Sequence, residues 1–468
     1  MEVPTQEILA RMPLAEGVLL LWRWVTQEER LQSIWDRFRQ RCYDKIISFG
    51  VIVHLIADAL LQYRGSGRRS FEKNIQNDLL EASVQAAYRK LGRLPLPVSQ
   101  AFLEECTAAL QAVFPGVCQR RLPASLQALR LTTLDGKALK HVAKRLLPLR
   151  GLAGGLLGGR ALVAMDWATG LAIALEADAD GEANEVRLVA ALLPRVPALG
   201  GGPRLWLSDR AFCDLEQPTR FTHDGDHFLV RYHRKVSFHP DPERPACPGV
   251  DERGRPFVEE WGWLGTAKDK RRRYVRKITL PLQKDVLSLV TDLLDADRYP
   301  AKDLLAVYAQ RATIECLFQE VTEVFGLQGL IGGTPQACIF QFAFCLLLYN
   351  MIQVVRGYVA QGQKRDAATL STEKLFDDVR RQLTAWYVML EQEATCAYFA
   401  ETPTAKQVQA RLKKLCGTVW DATWSKAPQQ KVHRTSPKKR APTHNSVFRL
   451  LHPELVRRRR KRVSRTIQ

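Results

Sequence analysis

Residues 308–325 read YAQRATIECLFQEVTEVF, and the rest of the chain is read outward from them. Spacings of three and four residues stack side chains on one side of a helix. At about 100° per residue, Tyr308, Arg311, Glu315 and Gln319 share one narrow stripe. Ile314, Leu317, Phe318, Val321, Val324 and Phe325 form the adjoining apolar face. Glu315 therefore stands at the margin of a face that enters a core. A carboxylate there needs a counter-charge, because burying it alone costs several kcal/mol or forces protonation. Arg311 can supply that charge, and so can a metal ion.

Upstream, LRLTTLDGKAL (Leu129–Leu139) predicts a strand with Asp135 at or just past its middle. ALVAMDWATGLAIALEAD (Ala161–Asp178) predicts a hairpin turning at Ala168, Thr169 and Gly170. Glu182–Leu193 predicts a helix, and PRLWLSDRAF (Pro203–Phe212) a strand ending at Asp209. The order is three strands, a helix and a fourth strand, then, much later, the Tyr308 helix. LAGGLLGG (Leu152–Gly159) lacks the lysine of a phosphate-binding loop and reads as a flexible link. Residues 213–285 hold β-like pieces and read as an insertion, after which DVLSLVTDLL (Asp285–Leu294) returns to core-like strand.

The flanks are helical. Residues 1–125 read as helix after helix, broken by the basic loop RGSGRRS (Arg64–Ser70). Residues 361–468 are helical and polar, and end in a basic tail from Lys431 whose densest run is RRRRKR (Arg457–Arg462). The expected organisation is a helical region over 1–125, an α/β core over 126–212 and 286–360, a β-rich insertion over 213–285, and a helical C-terminal region with its tail.

With 468 residues the chain has room for roughly three domains. Its net charge of +20 points to a polyanionic partner, nucleic acid or an anionic membrane surface. The apolar segment Ala337–Val355 is as long as a membrane span but carries Gln341, Asn350 and Gln353, so it reads as a buried helix. An early apolar run is interrupted by Glu2, Glu7 and Arg11, which argues against a signal peptide. Ten scattered cysteines without a C-x-x-C pair suggest a reducing cytoplasm.

Three carboxylates on separate elements suit Mg²⁺, which takes hard oxygen ligands. Two such ions about 3.5–4 Å apart clamp the attacking and leaving oxygens of an in-line phosphoryl displacement. Tyr308-x2-Arg311-x3-Glu315 is similar to the Y-x2-R-x3-E-x6-K signature of the DDE transposases of the insertion-sequence 4 family. LDGKAL resembles that family's first-Asp strand and LSDRAFCD its second-Asp segment. SLVTDLLDADRYPAKDLLAVYAQRATIE resembles its approach to the catalytic Glu. The resemblance spans roughly Leu129–Val355.

It implies an RNase H-like mixed-sheet core with a β-rich insertion. The activity implied is metal-dependent cleavage and strand transfer at insertion-element ends. Asp135, Asp209 and Glu315 would be the catalytic, metal-binding triad for two Mg²⁺, with Mn²⁺ able to substitute. Tyr308 and Arg311 would lie beside DNA phosphates, joined by Arg210 and by Lys270, Arg271, Arg272 and Arg273 of the insertion. Partners would be the terminal inverted repeats, target DNA and a second copy of the chain in a synaptic dimer. The setting would be a bacterial cytoplasm, at the nucleoid.

One position departs from the signature: Thr322 stands where its lysine would fall. Trp261 and Trp263 are candidates for stacking a flipped base, with packing as the alternative for each. His223, His227, His233 and His239 with Cys247 match no common zinc spacing. Asp166, near the hairpin turn, reads as structural. Two other functions stay open: a transposase-derived DNA-binding protein without catalysis, and a metal-dependent nuclease without strand transfer.

Overall fold

The computed structural model describes residues 7, 9–43, 46–140, 142–144, 146–152, 154–196, 202–283, 285–327, 329, 331–390, 392–399, 403–426 and 444–456. The RRRRKR run lies outside them. The N-terminal helices are α1 (Pro13–Val25), α2 (Glu28–Phe38), α3 (Phe49–Leu61), α4 (Gly67–Gln76), α5 (Val84–Leu91) and α6 (Leu96–Gln111). Ser48, Ser66 and Ser83 cap α3, α4 and α5 by accepting backbone N–H bonds.

The sheet begins with β1 (Arg130–Ala138). It is followed by the short β2 (Gly155–Leu157), the hairpin β3 (Arg160–Asp166) and β4 (Ala172–Asp178), the short helix α7 (Val189–Leu192), and β5 (Arg204–Ser208). Next come α8 (Gln217–Phe221), β6 (His227–Arg231), β7 (Phe238–Pro240), β8 (Cys247–Val250), β9 (Pro256–Leu264), β10 (Arg273–Pro281) and β11 (Val286–Thr291). The hairpin turns where expected. Asp166 accepts both the N–H and the hydroxyl of Thr169, and Gly170 takes the positive φ of 73° that closes the turn.

Among the described residues one large sheet runs β4-β3-β1-β5-β6-β11-β10-β9-β7, with β8 on β9. β1, β5 and β6 are parallel neighbours, and the rest of the ladder is antiparallel. The start of the insertion therefore needs correction. β6 belongs to the central sheet, and the added strands begin after it, widening the same sheet. Alternation explains why the central strands are buried on both faces. Leu205, Leu207 and Leu229 enter one hydrophobic cluster, Trp206, Phe228 and Val230 the other.

Helix α9 (Ala301–Ala309) covers the first face. The second is covered by α10 (Thr313–Glu323), α11 (Pro335–Gly362) and the N-terminal helices, with α12 (Thr372–Met389), α13 (Gln392–Tyr398) and α14 (Ala405–Cys416) packed beyond. One apolar cluster runs from Leu9 to Trp424, so the helical flanks share the core of the sheet.

Helix α11 is long and apolar enough to cross a membrane, yet its apolar window is wholly buried inside the protein, as the sequence led us to expect. Its polar residues are spent on packing. Asn350 accepts the Ala172 N–H at 2.9 Å and donates to the Ala172 carbonyl and the Thr107 hydroxyl, both at 2.8 Å. Gln341 accepts the Ile331 N–H at 2.8 Å.

Three local expectations are revised. Glu182–Leu193 is a chain of short turns around α7, with Pro194 just beyond it. LAGGLLGG contains β2, which pairs in parallel with β12 (His444–Ser446) ahead of α15 (Val447–Leu451). Arg449 then clamps Asp180 at 2.9 Å. The YAQRATIECLFQEVTEVF stretch is two helices, α9 and α10, joined by a 3-10 turn at Gln310–Ala312. Tyr308 packs on one face of the sheet and Ile314 on the other, so the chain must bend at its edge.

Candidate active site

That bend stands over the carboxyl end of β5 and the middle of its neighbour β1. Leu134 of β1 lies opposite Ser208 of β5 in parallel register. Asp135, still within β1, and Asp209, just past the end of β5, therefore sit on neighbouring strands about 4.8 Å apart. Asp209 accepts the Arg210 N–H at 2.6 Å and so starts the turn that ends β5. Asp135 Oδ1 accepts the Gly136 N–H at 2.8 Å. Glu315 comes from the first turn of α10, with its side chain 57% exposed.

Arg311, at the bend, joins Asp135 to Glu315. Its Nη1 is 3.6 Å from Asp135 Oδ2, its Nη2 donates to Glu315 Oε1, and the side chain is only 12% exposed. Burial alone would lower the guanidinium's pKa; Tyr308, Asp135, Asp209 and Glu315 together raise it. Burial also pushes the Asp135 carboxyl up to about 6, opposed by Arg311 and the Gly136 N–H and reinforced by Glu315 and Glu185. Arg311 Nη1 is buried and makes no hydrogen bond among the described residues, its one charged neighbour there being Asp135 at the long distance of 3.6 Å.

Tyr308 is placed differently from the sequence expectation. It is 5% exposed, and its hydroxyl donates to the Ser208 carbonyl at 3.0 Å. Burial drives its pKa up. The stripe reading assumed one continuous helix. The bend turns Tyr308 inward, where it holds the end of β5 and hence the start of the Asp209 turn.

The basic run of the insertion also divides. Lys270 is exposed, and Arg271 pairs with Glu216 at 3.4 Å. Arg272 stacks over Trp263 at 4.2 Å, and Arg273 donates to the Pro218 carbonyl at 3.3 Å. Arg210 is exposed beside Asp209. Trp261 is core, donating to the Leu294 carbonyl at 2.9 Å, whereas Trp263 is 36% exposed.

Two neighbours escaped sequence reasoning. Glu185 pairs with Arg160 at 2.8 Å and lies so close to Gly136 that an added Cβ would come within 2.2 Å of its Oε2. Nothing in the polar segment around Glu185 marks it. Lys137, two residues after Asp135 on β1, reaches α10 and donates to the Phe318 carbonyl at 3.4 Å.

Comparison with known proteins bears on this edge of the sheet. Residues 155–351 match the transposase DDE domain. The DDE domain match takes in Asp209, Tyr308, Arg311 and Glu315, and begins after Asp135. It supports a DDE transposase, with DNA as the substrate class. No curated protein matches the chain.

DDE transposases generally use divalent metal ions. Asp135, Asp209 and Glu315 supply only carboxylate oxygen, the donor chemistry that Mg²⁺ takes. As they stand, no three acidic, His or Cys side chains among the described residues are grouped to hold an ion. The Arg311 guanidinium stands between Asp135 and Glu315 instead.

Proposed function

We propose that the chain is a Mg²⁺-dependent DDE transposase of the insertion-sequence 4 type, which cuts DNA at element ends and joins them to target DNA. The observation that carries this is Arg311 bridging Asp135 of β1 and Glu315 of α10, with Asp209 following the neighbouring parallel strand β5 and acting electrostatically on the same guanidinium. The order β4-β3-β1-β5-β6, with an antiparallel hairpin beside three parallel strands, supports an RNase H-like core. Bound divalent ions would neutralise charge on the scissile phosphate and activate the attacking oxygen. The three carboxylates would hold those ions. Arg311, whose Nη1 makes only the long 3.6 Å ion pair with Asp135, would take a phosphate oxygen once metal ions engage the carboxylates, since Arg binds phosphate through a fork of donors. Lys270, Arg271 and Arg210 would add sequence-independent contacts to the DNA backbone. The N-terminal helices would read the terminal repeats, and two copies would pair the two ends.

The test is incubation of a duplex made from the DNA flanking the gene with Mg²⁺ and either wild type or Glu315→Gln. Cleaved and joined products from wild type, absent from the variant while it still binds, support the reading. Cleaved ends that never join would make the protein a nuclease. Specific binding without cleavage by either would make it a non-catalytic DNA-binding protein. Equal cleavage by both would remove Glu315 from the site.

A further inference from the structure

Beside Asp135 and Glu315 the surface dips into a cleft of about 500 Å³ lined by Lys137, Lys140, Arg160 and Thr322, among others. It continues into the shallow groove that holds Asp135 and Glu315, since Gly136, Lys137 and Thr322 line both. Acidic and basic ends thus share one trough. Arg160 is already neutralised by Glu185 at 2.8 Å. Lys137 forms no ion pair among the described residues.

Lys137 occupies an informative place. Asp135 and Lys137 are two apart on β1 and so project from the same side of the strand, about 7 Å from each other. Across the cleft, the Lys137 ammonium and the Thr322 hydroxyl meet at one acceptor. Lys137 Nζ donates to the Phe318 carbonyl at 3.4 Å, and Thr322 Oγ1 donates to the same carbonyl at 2.6 Å. The short Thr322 side chain is thereby folded back on its own helix, and the space it leaves on α10 is where the β1 lysine arrives. The long Lys137 bond leaves further donors of the ammonium free. A polyanion whose reacting phosphate faced Asp135 would place a neighbouring phosphate over this cation.

We propose that Lys137, assisted by exposed Lys140, is a phosphate-binding positioning residue for the DNA strand being cut, its ammonium supplied from β1 to the place beside Thr322 on α10. The assignment rests on the DNA-cleaving reading above. It makes the trough a two-point clamp: carboxylates at the reacting phosphate, and a cation at the next one, which fixes the strand's register.

The experiment uses the flanking-DNA duplex, intact or with single methylphosphonate linkages that remove one phosphate charge at a time. Binding is measured against salt in the Glu315→Gln background, and nicking in the active background. Lys137→Ala is expected to bind and nick roughly tenfold to a hundredfold less well, the usual weight of a charge-assisted contact. Its log–log salt slope should be shallower by about one. One methylphosphonate position should penalise wild type while leaving Lys137→Ala unaffected. Thr322→Lys added to Lys137→Ala should recover most of the loss, which a merely structural role for Lys137 would not allow. Lys137→Arg, keeping the charge, guards against a folding artefact and should stay near wild type. The proposal is overturned if Lys137→Ala keeps the wild-type slope and methylphosphonate pattern, or if Thr322→Lys restores nothing. In either case wild-type nicking that is lost in Glu315→Gln leaves the DNA-cleaving reading standing. Absence of DNA binding by wild type overturns both.

Discussion

Replacing Arg311 by alanine separates two roles that the guanidinium combines. At 3.6 Å from Asp135, and with an effective dielectric near 20, the gross attraction is about 4–5 kcal/mol. Desolvation of both partners offsets much of it, and Glu315 contributes little because it is more than half exposed. Removing Arg311 should therefore cost about 2 kcal/mol, chiefly by leaving Asp135 buried without a counter-charge. In thermal unfolding without metal, a loss of a few degrees is expected. Magnesium should then act unequally. In wild type the ion must dislodge the guanidinium, whereas in Arg311→Ala the place is open. Saturating Mg²⁺ should raise the melting temperature of the variant more than that of wild type. A tenfold gain in affinity is worth about 1.4 kcal/mol at saturation. Equal Mg²⁺ shifts in both proteins, or none in either, would refute the picture of Arg311 as the internal substitute for a metal ion.

Tyr308→Phe should lose about 1–2 kcal/mol, the weight of one buried hydrogen bond. Its DNA affinity at fixed salt should be unchanged; a loss of affinity in the folded variant would put the tyrosine back on the DNA. Asp58, held by Gln62 at 2.9 Å and Asn74 at 3.1 Å, has its pKa raised to about 6 by burial, against those two bonds. A carboxyl raised in the folded state favours folding most below its unfolded value, near 4, and loses that contribution as pH rises through 6. Asp58→Asn should flatten the stability profile between those values, and a urea-midpoint series across that pH range that parallels wild type would count against it.

Short apolar runs bounded by turn residues made β1, the hairpin and β5 legible, as expected of strands buried on both faces. The same reading set Asp135 just past the middle of β1 and Asp209 at the end of β5, where the structure has them. The bend at Gln310–Ala312 was not legible, since no proline or glycine marks it. It exists because α9 and α10 pack on opposite faces of the sheet, a tertiary demand that helical periodicity does not carry. Tyr308 was misplaced for the same reason. The missing lysine at position 322 was visible in the sequence, but the arrival of Lys137 beside it was not, because that contact joins residues 181 positions apart. β6 was grouped with the insertion because a short apolar strand looks alike in either setting, and only its pairing with β5 assigns it.

Burial of α11 has a practical bearing on how this protein can be divided. A fragment trimmed to the matched segment would lose α1 and α6 from its N-terminal side, and with them the cover over a rod with mean hydropathy 1.9 across its most apolar window. Cells read such an uncovered rod as a membrane segment or as aggregating material. Internal deletions and early stop codons should thus yield debris rather than a working nuclease core or a dominant inhibitor, and isolation of a minimal catalytic piece is best begun from the whole chain.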